Sequence, residues 1–561
     1  MLCRTTAWQS YVPSPLSHRC CPGGSRRHLD TVNILWYIVL ASVGAAALWL
    51  KSETNKKSAR IILLILMTLF VSSKYYQSIF VEKRLSKSGP SIDVDRAEIM
   101  LRLSSAVNML RVRATQGVQS IPGGQSLPGG PVKLVASADK MDTFAEARTV
   151  LKNAAEAEPE SAGAWAKLLV VQHESKSPRA EIETTLAHLQ TIKTPVGAEL
   201  AKTMHDLFEG QIQGAAEEAA VKNVIVHQLP TGWYQEHALQ ALYKKAKDKV
   251  ELQALNDSML PRQMTLIAKM LFLVAFGAVS LLVGIIIIFV QLLFVARKNK
   301  AVDESALVKA PVSSGIATIY GVFIGWLTTQ QIIGSLAQNA LKSISPYLKM
   351  SSGMETDPNK PLLIGLTVAA LYILSNAPGT IYAYLFAMRP SQISFLEGFR
   401  IRTRVGKNGP FKLVLAGVAT WFVAVPLVLL ATFIGAKLFG SQGSTNPIIA
   451  LVMEAARSGN WLSTIVFYLT LGVLAPLCEE TLFRGFLYAN LRRKLGVFPS
   501  VLISAGLFAA CHLDVGAFLP LFTLGSLFAL VFEKQKSILP SMVAHGLWNS
   551  GTFTLILLLF G

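Results

Sequence analysis

Charge is scarce in this chain, and acid scarcest. Only 16% of the 561 residues are Asp, Glu, Lys or Arg, while 52% are hydrophobic. That is too apolar for one water-soluble globule and points to an all-α, polytopic membrane protein. Cysteine is rare as well: Cys3, Cys20, Cys21, Cys478 and Cys511, with no CxxC pair. A disulfide scaffold and a thiolate metal site are therefore disfavoured. Cys478 and Cys511 read as small packing residues, because a nucleophilic thiol needs a depressed pKa that sequence does not reveal. No HExxH helix is present, which argues against a zinc site of that design. Thirty-four acids stand against 53 Lys and Arg, a net charge of +19. No basic face interleaved with aromatics accompanies this excess, so nucleic acid is not an expected partner. In a membrane protein such an excess collects in cytoplasmic loops.

What is present falls into segments. Residues 1–30 carry Arg4, Arg19, Arg26 and Arg27 with no acid before Asp30, as in a transit-like tail or a mis-assigned start. Two apolar runs follow at 31–50 and 61–81, each near the roughly 20 residues that cross hydrocarbon. Residues 85–262 are polar and helical in periodicity, interrupted at 115–133 by a Pro/Gly linker holding QSIPGG and QSLPGG. In the part from 138 to 260, Pro159, Trp165 and Leu168 stand at tetratricopeptide-like spacing, though Leu169 and Gln172 replace the expected Gly and Tyr. A second helical stretch, 232–255, is expected to stack on it. Such a domain would offer a surface to a protein partner; a generic helical hairpin domain is the plainer alternative.

From 264 onward the pattern is membrane. Expected spans are 267–296, 315–336, 362–388, 411–438, 461–483, 497–513, 515–532 and 538–560, about ten with the first two. Pro378 and Pro426 lie inside spans and should kink them. Segments 264–410 and 411–561 divide this half into leading helices and a polar-bearing core. Loops 297–312, 389–412 and 484–496 are basic, whereas 439–460 is near neutral. The alternation places the basic loops in the cytoplasm and 85–262 outside it, consistent with an inner (cytoplasmic) membrane protein.

The core carries ionisable groups where they are expensive. A charge at bilayer depth costs about 2.5–3.5 kcal/mol or more, so it is usually functional. Glu480 and Arg484 are four apart and can pair on one helical face, while Glu479 points about 100° away. Phe508 and His512, and His545 and Asn549, show the same spacing of four on other apolar helices. If these helices pack, the polar groups converge. Two chemistries suit the set. Glu479 acts as general base on water with His512, while His545 and Asn549 stabilise an oxyanion. Alternatively Glu479, His512 and His545 bind a divalent metal such as zinc and leave a position for water.

EExxxR (Glu479–Arg484), FxxxH (Phe508–His512) and HxxxN (His545–Asn549), in that order, resemble the CPBP family of membrane proteins over about 411–561. That family includes CAAX prenyl endopeptidases and bacteriocin-processing or immunity proteins. The resemblance implies an intramembrane endopeptidase, with Glu479, His512, His545 and Asn549 in the site and Glu480, Arg484 and Phe508 in support. Its members are commonly described as metalloproteases, and a metal-free glutamate mechanism is also proposed for some. No GxGD pair and no rhomboid-type serine motif compete. Expected partners are the lipid bilayer and a protein or peptide substrate. Two other classes stay open: a non-proteolytic scaffold or immunity protein with the same fold, and a proton-coupled transporter. The absence of an inverted repeat argues against the transporter.

Overall fold

The computed structural model describes residues 53–76, 94, 96–108, 143–297, 314–350, 360–439, 452–453, 456 and 458–560. The tail 1–30, the run 31–50, the linker 115–133 and nearly all of loop 297–312 lie outside the described residues. In chain order the helices are α1 Glu53–Tyr76, α2 96–108, α3 Thr143–Ala157, α4 Ala162–Glu174, α5 Arg179–Gln190, α6 Pro195–Phe208, α7 Ala215–Gln228 and α8 Trp233–Ala246. They continue with α9 Lys249–Arg297, α10 Ile316–Met350, α11 Lys360–Ala383, α12 Pro410–Phe439, α13 Trp461–Leu495, α14 Val497–Ala510, α15 Phe518–Gln535 and α16 Leu539–Phe560. The protein is all-α; among the described residues the β contact is a lone bridge between Val405 and Asn408. Among the described residues seven helices (α9 to α13, α15 and α16) are long and apolar enough to cross a membrane. Shorter apolar stretches Arg60–Ser73 and Val497–Ala510 accompany them. Of ten expected spans, seven are thus long helices, two are short and one falls outside the described residues.

The chain divides into two compact units, described over 94–275 and over 53–76 with 276–560. In the first, α3 to α8 each pack against the next, and α4 also meets α6 and α8. The buried core joins Trp165, Leu168, Leu186, Met204, Ile225, Trp233 and Leu242. Trp165 Nε1 donates to the Pro159 carbonyl at 3.0 Å, so the two residues that set the repeat-like spacing are bonded to each other. The expected stretch 232–255 is two helices rather than one. Lys247 adopts a left-handed φ of 60°, and the Asp248 carboxylate then accepts from the backbone N–H of Val250 and Glu251. An Asp at that position begins a new helix.

The second unit is dressed in reverse. Leu271 and Val274 lie just N-terminal to it on α9. Within it Phe289, Phe386, Phe433 and Leu438 point outward with more than half their surface exposed. Contact with lipid accounts for such a coat. α13 overruns its expected end at 483. Gly496, with φ of 82°, ends it, so the expected basic loop 484–496 is helix to Leu495. α13 also widens twice into π-helix, at Thr470–Leu474 and Thr481–Tyr488, on either side of Ala475–Glu480. Such widenings frequently mark functional positions. α13 and α16 approach closely because both lack a side chain where they cross: a methyl on Gly546 would drive into the Gly472 carbonyl.

Candidate active site

The site is built on α13. Glu480 and Arg484 face inward with no exposed side-chain surface, and Arg484 Nη1 donates to Glu480 Oε1 at 2.9 Å. Arg484 Nη2 donates to the Gly525 carbonyl of α15 at 3.0 Å. The guanidinium lies 4.6 Å from the Phe508 ring centre and 5.3 Å from that of Phe528, so aromatic faces replace water around the cation. Arg484 is therefore no loop cation, which corrects its place in the expected loop 484–496. A third group joins from α16: His545 Nδ1 donates to the same Glu480 Oε1 at 2.8 Å. A carboxylate this deep is tolerated because two cationic or polarised N–H groups share it.

The pairing fixes His545. With Nδ1–H committed to Glu480, Nε2 faces the neighbouring carboxylate, 3.8 Å from Glu479 Oε2. That is too long for a hydrogen bond, yet within the span of one bridging water. Glu479 Oε2 is buried with no hydrogen-bond partner, whereas Oε1 accepts from the Tyr372 hydroxyl of α11 at 2.6 Å. The two adjacent glutamates thus do different work. Glu480 spends Oε1 on Arg484 and His545 and has no hydrogen bond at its buried Oε2, while Glu479 gives Oε1 to Tyr372 and leaves Oε2 facing His545 Nε2. Phe528 stacks on His545 at 5.1 Å and Phe508 meets it edge-on at 5.9 Å.

His512 is brought to the same cluster by a different route from the expected one. α14 stops at Ala510, and His512 lies in the turn beyond it rather than on a helical face. Its backbone N–H bonds to Ala509 instead of Phe508. The imidazole Nδ1–H takes the orphaned Phe508 carbonyl, at 2.8 Å. A carbonyl only accepts, so the proton sits on Nδ1 and Nε2 is the nitrogen left to act. The Phe508 ring meets both imidazoles edge-on, His512 at 5.0 Å and His545 at 5.9 Å between ring centres. Asn549 lies one turn past His545 and gives one amide N–H to the Leu471 carbonyl, at the first π-helical widening of α13.

Glu479, His512 and His545 were the expected metal ligands. Among the described residues no three His, Cys, Asp or Glu side chains gather into a group that could hold a metal ion. Glu479 Oε2, His545 Nε2 and His512 Nε2 are the atoms left to ligate, and as placed they do not gather around one point. The donor set as placed does not fit a metal. Cys478 and Cys511 are free thiols flanking the site.

Two features escaped the motif reading. Tyr372 lies far upstream, on a helix chosen for its apolar length; its signal was the polar series Tyr372, Asn376, Thr380 at intervals of four. The other is a groove of about 370 Å³ between α13 and α16, lined by Gly472, Pro476, Met542, Gly546 and Ser550 among others. Its walls carry no charge, and it begins one turn from Glu479 and one residue from His545.

Comparison with known proteins bears on this segment. Residues 461–551 match the family described as type II CAAX prenyl endopeptidase Rce1-like. UPF0177 protein YxdF of Lactococcus lactis is 32% identical over 80 residues, 14% of this chain and 44% of that protein. The chain thus spans less than half the length of this curated relative. No solved structure matches.

Proposed function

We propose, from the Rce1-like segment 461–551, that this chain is an intramembrane endopeptidase in which Glu479 activates water against a peptide bond. The observation that carries the reading is the division of labour in the buried pair: Glu480 locks His545, and His545 faces the one uncommitted oxygen of Glu479. A water between Glu479 Oε2 and His545 Nε2 gives its proton to the carboxylate as its oxygen bonds to the substrate carbonyl carbon. The proton passes from Glu479 to the leaving amine as the C–N bond breaks. Asn549 has a second amide N–H for the oxyanion, and His512 Nε2 is available to guide the departing amine. The uncharged groove beside Glu479 suits membrane-associated protein or peptide substrates. A protein partner is assigned to the segment 138–260, whose described part, 143–260, offers a helical surface.

The orientation follows from charge. Arg389, Arg402, Arg404 and Lys407 precede α12, Arg492, Arg493 and Lys494 end α13, and Lys534 and Lys536 end α15. These ends are tied together: Ser537 Oγ donates to the Arg402 carbonyl and Arg492 pairs with Glu533. By the positive-inside rule this end faces the cytoplasm, with 85–262 on the other side of the inner membrane.

The test is purified wild type beside Glu479→Gln on a library of quenched peptides, with bound metal measured in parallel. Wild type cleaves and the variant loses at least about 10³-fold, within the range of a removed general base. The donor geometry gives no stoichiometric metal, and a chelator leaves cleavage intact. Equal cleavage by both proteins overturns the reading; one equivalent of metal with loss on chelation restores the metal chemistry.

A further inference from the structure

The polar series on α11 lies outside the segment that resembles known proteases, yet it meets that segment at its most reactive residue. Tyr372, Asn376 and Thr380 fall on one face at intervals of four. Thr380 bonds the Thr481 hydroxyl at 2.8 Å and the Cys478 carbonyl at 3.2 Å, gripping α13 on both sides of the glutamate pair. Asn376 donates to the Tyr372 carbonyl at 3.1 Å and accepts from Gln330 of α10 at 3.1 Å. Gly379 lets α11 lie against α13, since a Cβ there would come within 2.9 Å of Leu482 and Trp326. The seam therefore fixes the height and rotation of α11. Tyr372 is the member of the seam that spends its hydroxyl on Glu479.

We propose that Tyr372 is the positioning residue for Glu479: it ties down Oε1 so that Oε2 stays aimed at His545 Nε2. The idea rests on the protease reading for its importance but not for its geometry. A carboxylate can rotate about its last bond and offer either oxygen to His545. One donor on one oxygen removes that freedom. A phenol suits the task at this depth, because its ring packs among apolar neighbours and it carries one O–H. A Lys or Arg here would instead pair with the carboxylate and quench it as a base.

Tyr372→Phe removes one oxygen and keeps the ring, so packing and abundance should hold. Two readouts are taken. In peptide cleavage, kcat falls about tenfold or more, the worth of a hydrogen bond to a charged group, while KM stays within about twofold. In isotope-edited infrared spectra, the carboxylate band that disappears in Glu479→Gln shifts in Tyr372→Phe. A purely structural tyrosine would change thermal stability and leave that band in place. If the band shifts and wild type cleaves no peptide, Tyr372 positions Glu479 and the protease reading falls. If wild type cleaves, and Tyr372→Phe matches it in kcat and in the band, the proposal is overturned.

Discussion

The two units of this chain solve opposite solvation problems with the same helices. In the 94–275 unit, apolar side chains such as Trp233 and Leu242 are inside, and ion pairs such as Arg179–Glu183 and Lys222–Glu251 sit in water. In the membrane unit, large apolar side chains face outward and the Glu480–Arg484–His545 network is sealed inside. The contrast shows where chemistry can be built. A charge in the first unit is screened by water; a charge in the second is held by named protein groups, and what sets Glu479 apart from Glu480 is a spare oxygen that faces an imidazole nitrogen.

The strongest way to break the comparison is to compare one arginine from each unit. Arg484→Met leaves Glu480 buried against His545 alone. It should cost about 3–5 kcal/mol and show as a large loss of folded protein in thermal unfolding in detergent. Arg179→Ala removes ion pairs to Glu183 and Glu209 from a guanidinium that is 76% exposed and should stay within about 1 kcal/mol. Equal effects would mean that water reaches Arg484, and the sealed network would be a misreading. The apolar residues provide the converse. Leu242→Ala, fully buried in the soluble unit, should cost about 2–5 kcal/mol. Phe289→Ala, 61% exposed on α9 in the membrane unit, should change stability far less, because lipid solvates either side chain. Hydrogen exchange over 162–246 distinguishes the two.

The sequence made much of this legible where one physical rule dominates. Span lengths follow from apolar runs, so α12 at Pro410–Phe439 falls within two residues of expectation. The Glu480–Arg484 pair follows from helical spacing. What spacing could not reveal was rotation and ending. The π-helical widenings in α13 shift the phase of everything after them, and no residue pattern announces them. Nor did periodicity show that α14 would stop two residues short of His512, since Cys511 and His512 continue the apolar run without a Gly or Pro. Tyr372 was unread for another reason: its partner lies 107 residues away, and only packing joins them.

The smallest expected effect sharpens the comparison from the watery side, where titration is free to occur. His173 and Glu174 end α4. Burial, aided by Lys244 and Lys245 and opposed by Glu174, lowers His173 below its usual range. Glu174 is pushed up by burial, but the His237 hydrogen bond and charge outweigh this and leave it below the usual carboxylate range. The signs agree. An unfolded chain takes up a proton at His173 near the ordinary imidazole value of 6.5, while the folded chain resists it. Stability from this residue is therefore full above that pH and declines below it. Glu174 adds stability above the ordinary carboxylate value of 4.5, lost as pH falls through its lower folded value. Exchange protection of peptides covering 162–174, corrected for intrinsic rates, should fall as pH drops from 7 to 4. His173→Phe, which preserves stacking on Phe208, should flatten the upper half of that fall. A profile unchanged by the substitution would assign the whole decline to Glu174, and a flat wild-type profile would mean that solvent screens even the half-buried charges of this unit.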